Sequence, residues 1–266
     1  MKKVFLTGAS SGIGFAIAQA LAARGDEVWG TSRDPARLRL SGLHPLQLDL
    51  GDSNSIEAAF KRALSEAGHF DVVINNAGSG HFGPAENLSD ADVEKQFQVL
   101  VFGHLQVMRL AIGAMRTRGE GLIINVTSLA SRLPVPFMAA YNAAKAAMAA
   151  FTMSIQLELP NSKVRVIDLQ PADIATRFND AIHPNGGRYP LYESRLTKTW
   201  AATDRNMKNA PKPQLVARHC LRLIDSTNPP PRLTVGDVFQ SKIAPFIFRF
   251  LPQRVRIWGL KKYYGL

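Results

Sequence analysis

The chain has 266 residues, 46% of them apolar, enough to build a large core in one α/β domain. A single cysteine, Cys220, excludes an internal disulfide and points to a reducing compartment, so a cytoplasmic location is expected. The net charge is +11 and unevenly placed: no acidic side chain follows Asp237, whereas Lys242, Arg249, Arg254, Arg256, Lys261 and Lys262 do.

The amino terminus has the charge of an export signal, but Val4-Phe5-Leu6 is too short an apolar run for one. No stretch approaches about 18 uninterrupted apolar residues, so no spanning helix is expected. Residues 3–7 read as a buried strand ending in glycine, and residues 13–24 as a helix with Ile13, Ile17, Ala20 and Leu21 on one stripe. Strands follow at 27–32 and 46–48. A helix is predicted at 53–67, with Ser53 as its N-cap, before a strand at 71–75. Residues 89–116 read mostly as helix, 121–126 as strand, 139–159 as an alanine-rich helix stopped by Pro160, and 164–169 as strand. The alternation fails from Asp173 to about Pro213, an insertion carrying Phe178, Tyr189, Tyr192 and Trp200, then resumes with a helix at 214–225 and a strand at 233–235.

This alternation predicts a Rossmann-type doubly wound α/β fold: a parallel sheet of about seven strands, helices on both faces, and ligands at the strands' carboxyl ends. Residues 1–240 read as one dinucleotide-binding catalytic domain that includes the insertion at about 173–213. Residues 241–266 read as a basic aromatic extension.

Between the first strand and helix lies Thr7-Gly8-Ala9-Ser10-Ser11-Gly12-Ile13-Gly14. Glycines there allow a tight turn and let a pyrophosphate approach backbone amides at a helix N-terminus, which makes Gly8, Ser10, Ser11, Gly12, Ile13 and Gly14 candidate cofactor ligands. The second strand ends without a carboxylate to hold a ribose diol. Arg33 suits a 2′-phosphate instead, so NADP(H) is expected. Arg33 also reads as an ordinary surface arginine that Asp34 could neutralise, which keeps NAD(H) open. Asp49 and Leu50, after the third strand, are placed to meet the adenine.

Tyr141 and Lys145 share one helix face. An ammonium beside a phenol should lower its pKa and make proton exchange feasible near neutrality. Lys145 could also hold the nicotinamide ribose. Ser128, thirteen residues before Tyr141, ends a strand and could bond the same carbonyl oxygen.

With these motifs in this order, the chain resembles the short-chain dehydrogenase/reductase family in its single-domain form. Asn75-Asn76-Ala77-Gly78 matches the family's fourth-strand motif, implying that Asn76, Ala77 and Gly78 support the adenine side. Pro171-Ala172-x-Ile174-x-Thr176 is similar to its motif beside the nicotinamide, with alanine where glycine is usual, and implies cofactor contacts from Pro171, Ile174 and Thr176. The resemblance implies hydride transfer between nicotinamide and a carbonyl or alcohol, with Tyr141 as general acid/base and Ser128 and Lys145 beside it. His81 and Met138 join Ser128 as candidate substrate contacts. The apolar lining suits a lipophilic ketone or aldehyde, and the overall pattern is similar to the steroid and retinol dehydrogenase branch. Leu100 stands where the family carries an asparagine that keeps a proton-relaying water; His104, one turn along, is a candidate replacement. That departure motivates an alternative, an NADP(H)-binding regulatory or scaffold protein with little catalysis. No metal is expected. The family implies a homodimer or homotetramer. The basic aromatic residues 241–266 suit either packing on the body or peripheral contact with the inner face of a membrane, and no recognition motif supports nucleic acid as a partner.

Overall fold

The computed structural model describes residues 1–159, 163–176, 178, 182–184 and 189–266. Within the insertion, positions 177, 179–181 and 185–188 therefore lie outside the described residues, as does Pro160. In chain order the first elements are β1 (Lys3–Leu6), α1 (Gly12–Ala23), β2 (Glu27–Ser32), β3 (Leu43–Gln47), α2 (Ser53–Ala67), β4 (Val72–Asn75) and β5 (Gly80–Phe82). Then come α3 (Asp90–Phe97), α4 (His104–Arg118), β6 (Glu120–Val126), α5 (Ala139–Glu158), β7 (Lys163–Pro171) and β8 (Ile182–Pro184). The carboxyl-terminal part holds α6 (Glu193–Asn209), α7 (Gln214–Asp225), β9 (Arg232–Val235), α8 (Ala244–Phe250) and α9 (Gln253–Tyr264).

Seven strands form one parallel sheet in the order β3-β2-β1-β4-β6-β7-β9, the doubly wound arrangement expected. Side chains on successive strand residues point to opposite faces, so each strand feeds two cores. Val4, Leu6, Val72 and Ile74 pack under α1 and α7 with Ile17, Leu21, Cys220 and Leu223. Phe5, Val73 and Ile123 pack on the other face with Ile56, Phe60, Val107 and Met115 from α2 and α4. The strand order reverses between β1 and β4, where ligands settle in open α/β sheets.

Several local expectations change. The N-cap of α2 is Asp52, whose carboxylate accepts from the Asn54 amide at 2.9 Å, not Ser53. The irregular stretch contains α6, and β5 pairs with β8 in a small separate sheet. The helix predicted at 89–116 is interrupted by a π-helical segment at Gln98–Gly103. The whole stretch Asp90–Arg118 is long and apolar enough to cross a membrane by length and composition, contrary to expectation. Its Val107, Met108, Ala111 and Met115 are nevertheless buried against the sheet, as in a core helix.

Candidate active site

The turn after β1 is built around glycine. Gly8 has φ +71°, and a Cβ there would lie 2.8 Å from the Ala77 Cα. At Gly14 a Cβ would lie 2.1 Å from the Gly8 carbonyl oxygen and 2.4 Å from the Asn76 Nδ2. Asn76 fastens the turn by donating from Nδ2 to the carbonyls of Thr7 (3.0 Å) and Gly8 (3.2 Å). The amides of Asn76 and Ala77 donate to the Thr7 hydroxyl at 2.9 and 3.2 Å. Ser11 is the N-cap of α1 but makes no side-chain cap, and the first turn has no acidic residue. The first-turn amides of Gly12, Ile13 and Gly14, with the helix's partial positive charge, are therefore left for an anion. This cradle fits a dinucleotide pyrophosphate. Thr176 stands across the turn, 3.7 Å from a Cβ placed on Gly12. Ile174 and Pro171 are buried beside it, Pro171 paired with Val235 at the end of β7.

Along the strand ends, Ser32 donates its hydroxyl to that of Ser10 at 3.4 Å, and Arg33 is exposed. The Asp34 carboxylate turns away to accept from the Ala36 amide at 3.0 Å, and no Arg33–Asp34 ion pair occurs among the described residues. Asp49 is exposed, with one carboxylate oxygen accepting from the Gly51 amide at 2.8 Å. Leu50 is buried in the core, with its carbonyl and Cβ packed against Gly103, so its side chain is not free to meet an adenine.

Ser128 follows β6, and its hydroxyl accepts from the Ala130 amide at 3.1 Å. It is also hydrogen-bonded to the Tyr141 hydroxyl. Tyr141 and Lys145 on α5 are both buried, with the Lys145 Nζ 5.9 Å from the phenol ring centre and donating to the Val126 carbonyl at 2.9 Å. Structure thus brings Ser128, Tyr141 and Lys145 together as read from the sequence, and sets the Nζ 3.9 Å from a Cβ placed on Gly78. The expected electrostatics are corrected. Burial pushes the Tyr141 phenol up to about 12, opposed by the Ser128 bond and reinforced by Asp173. Burial pushes the Lys145 ammonium down to about 8, partly offset by Asp168. Desolvation dominates at both groups because the charged form of each loses water, and the help expected from the lysine does not lower the phenol.

Leu100 is fully buried, with a methyl 3.2 Å from a Cβ placed on Gly78. Hydrocarbon thus occupies the place where a polar side chain was expected. His104 is buried too, bonded to the Leu100 carbonyl, and its Nε2 has no partner in the structure. Burial drives its pKa down to about 3, with Lys145 adding repulsion, so the imidazole is neutral.

The wall around Tyr141 is apolar. Met138, Ala144 and Ile182 are buried there with Phe82, Phe97, Val135, Phe178 and Trp200 packed against them. Phe178 lies 5.5 Å from the Tyr141 ring, and Phe82 meets Trp200 at 5.0 Å. Met138 closes on Gly80, whereas His81 on β5 turns Nδ1 toward Asp92 at 3.9 Å. Phe137, just before α5, holds φ +63°, a left-handed backbone that costs a bulky residue about 1–3 kcal/mol.

Sequence reasoning missed the polar layer behind the site. Asp168 accepts from the Thr127 hydroxyl, from Gln170 at 2.8 Å and from Arg232 at 2.7 Å. Asn75 donates to Asn125, and Asn125 to Thr152, each at 2.9 Å. Asp173 accepts from Gln240 at 2.5 Å, Gln240 also donates to the Tyr263 hydroxyl at 3.1 Å, and Asn206 donates to that hydroxyl at 2.9 Å. Polar residues inside otherwise apolar strands, such as Asp168 and Gln170 on β7, were the available signal.

Residues 2–186 match the family described as short chain dehydrogenase. A 3-ketodihydrosphingosine reductase of Bacteroides thetaiotaomicron is 29% identical over 99% of this chain and 98% of its own length. The alcohol dehydrogenase of Thermococcus sibiricus, solved with 5-hydroxy-NADP, superposes with a TM-score of 0.72 at 27% identity, over 90% of this chain and 97% of that one. A 3-ketoacyl-(acyl-carrier-protein) reductase of Brucella melitensis, solved with NADH, superposes with a TM-score of 0.74 at 25% identity, over 88% of this chain and 96% of that one.

Proposed function

The chain belongs to the short-chain dehydrogenase/reductase family, and from that premise we infer that it reduces the carbonyl of a lipophilic, long-chain ketone or aldehyde with NADPH. As a member it is a nicotinamide-dependent oxidoreductase; the preference for NADP(H), the substrate class and the residue roles are our reading. The observation that carries it is the set of half-buried Ser128 with buried Tyr141 and Lys145, next to the aromatic wall of Phe82, Phe178 and Trp200. The relative that acts on 3-ketodihydrosphingosine adds weight to a long acyl chain.

A nicotinamide cofactor in the cradle would supply the hydride. Tyr141 donates the proton to the carbonyl oxygen; its raised pKa keeps it in the phenol form at neutral pH, the form that reduction consumes. The Ser128 hydroxyl, already bonded to Tyr141, stabilises the developing oxyanion. Lys145, held on the Val126 carbonyl, provides positive charge behind Gly78 and a donor for the ribose. Arg33, unpaired with Asp34, receives the 2′-phosphate. Gly8 to Gly14, Asp49, Leu50, Asn76 to Gly78, Pro171, Ile174 and Thr176 frame the rest of the dinucleotide. His81 and Met138 bound the substrate end.

We place the enzyme in a reducing compartment, in keeping with the buried lone thiol of Cys220. We also pair it with further copies of itself through the helical stretch of residues 89–116 and α5, where Phe102 on the π-helical segment and Phe151, Met153 and Leu157 on α5 are exposed. The test of function is NADPH oxidation over a panel of long-chain 3-ketones, steroid ketones and aldehydes, with NADH in parallel. Turnover with a long-chain ketone, abolished in Tyr141→Phe while NADPH still binds, is the expected result. Turnover unchanged in that variant would remove Tyr141 from the mechanism. One observation favours the second reading, a cofactor-binding protein with little catalysis: Leu100 fills the position of the relay. NADPH binding without turnover on any substrate, restored by Leu100→Asn, would select it.

A further inference from the structure

The carboxyl-terminal helices carry their apolar residues on the outside. From Phe239 to Phe250 the backbone is helical throughout, first π then α. Phe239, Ile243, Phe246, Ile247 and Phe250 recur there at the spacing of one helix stripe, and all five are exposed, Phe246 and Phe250 at 67% and 68%. A stripe at this spacing ordinarily faces a core. Here the core-facing contacts are made by other residues: Pro245 and Tyr264 are buried. On α9, Val255, Ile257 and Trp258 are exposed as well, Trp258 at 63%. Exposed large apolar side chains in this number call for an occupant.

Charge selects the occupant. Lys242, Arg249, Arg254, Lys261 and Lys262 are exposed around the same helices, and no acidic residue follows Asp237. Arg249 lies 5.9 Å from the Phe250 ring centre and Lys262 5.3 Å from the Trp258 ring centre, so cations and aromatics are interleaved. A second copy docking on this face would bring like charges together. An anionic bilayer surface supplies the opposite charge, and its headgroup boundary accepts aromatic side chains.

We propose that α8 and α9 form a peripheral docking face for an anionic lipid bilayer, with the rings of Phe246, Phe250 and Trp258 inserted and the surrounding lysines and arginines on the headgroups. Hydrogen bonds join the face to the candidate active site. Arg132, four residues after Ser128, donates to the Pro245 carbonyl at 3.3 Å, and Gln240 binds Asp173 at 2.5 Å. Docking therefore holds the apolar wall near the lipid phase from which a long-chain substrate would come. That last consequence rests on the proposed function; docking itself does not.

The experiment is co-sedimentation of the full-length protein with vesicles of phosphatidylcholine alone and of phosphatidylcholine with phosphatidylglycerol, at low and high salt. Binding only to the anionic vesicles, weakened at high salt, is expected. Phe246→Ser with Trp258→Ser, and separately Lys242→Glu with Lys261→Glu, should each weaken binding at least tenfold while unfolding temperature and NADPH binding stay unchanged. No binding by the wild type to anionic vesicles at low salt overturns the proposal. So does unweakened binding in both variants, or an oligomer that falls apart in the serine variant without any vesicle binding, which would give the face to a second copy. Vesicle binding is read without turnover, so it stands or fails separately from the reductase reading.

Discussion

Tyr141 is kept as a phenol and Lys145 is kept only just as an ammonium, because both have been stripped of water. If reduction needs both protons in place, its rate is full below about 8 and falls as pH rises through that value, where Lys145 deprotonates. A pH profile of kcat checks this; a rate still climbing above the lysine's value would remove its charge from the mechanism. His104 has the opposite relation to acid. Its folded pKa, about 3, lies below its ordinary value of 6.5, so the unfolded chain takes up a proton that the folded one refuses. Stability should therefore fall as pH drops from about 6.5, by up to about 1.4 kcal/mol per unit. Thermal melts of wild type and His104→Gln across that window test the sign: the wild type should lose melting temperature more steeply. Single residues were partly legible. Ser128, Tyr141 and Lys145 announce themselves by spacing, and Leu100 by its departure. The rise in the Tyr141 pKa was not legible, because burial is a property of the folded surroundings and not of the helix that carries the pair.

At the scale of elements, the turn from β1 into α1 is the least tolerant. Gly14→Ala would drive a methyl into the Gly8 carbonyl and the Asn76 amide, and should weaken NADPH binding at least tenfold and lower the melting temperature. Gly113→Ala on α4 meets nothing within 4 Å and should stabilise by about 0.5–1 kcal/mol through helix propensity. Calorimetry and cofactor titration of the two variants make the comparison. Most of the seven parallel strands were readable as short apolar runs with a glycine or polar end, as in Lys3–Leu6 and Val72–Asn75, whereas β3 starts at Leu43, ahead of the 46–48 expected, because His44 and Pro45 break its apolar pattern. Helix α6 was not. It buries Thr199 and Ala202 and packs Trp200 against the apolar wall, but these few residues stand among many charged and polar ones, so no broad apolar stripe marks it. The pairing of β5 with β8 was hidden for another reason: Gly80 meets Ile182 across a hundred residues of chain, and two strands of three residues carry almost no periodicity. The π-helical segment at Gln98–Gly103 is likewise a matter of tertiary fit, with Gly103 pressed against the Leu50 carbonyl.

For the molecule as a whole, two sets of contacts decide what holds to what. Arg232 on the edge strand β9 pins the buried Asp168, and Arg232→Ala should destabilise the fold by about 3 kcal/mol because it leaves a buried carboxylate without its cation. Adding Asp168→Asn should recover part of that loss in chemical denaturation; no recovery would show that packing, not charge, was lost. On the far side, Leu157, 76% exposed on α5, is a sensitive probe of assembly. Leu157→Asp should reduce the particle mass measured by light scattering if copies associate there. The parallel doubly wound sheet could be read from strand alternation alone, but the way the basic extension is attached could not. It is attached through Asp173, Gln240, Tyr263 and Asn206, which span the loop after β7, the π turn, α9 and α6. A chain of four side chains makes the extension costly to discard over evolutionary time. A lineage that shortened its carboxyl terminus would remove Tyr263 and leave Gln240 and Asn206 without their shared hydroxyl, loosening the residue that holds Asp173 beside Tyr141. Descendants lacking the extension should therefore vary at Gln240 and Asn206, and those that keep it should vary Gln240 and Tyr263 together.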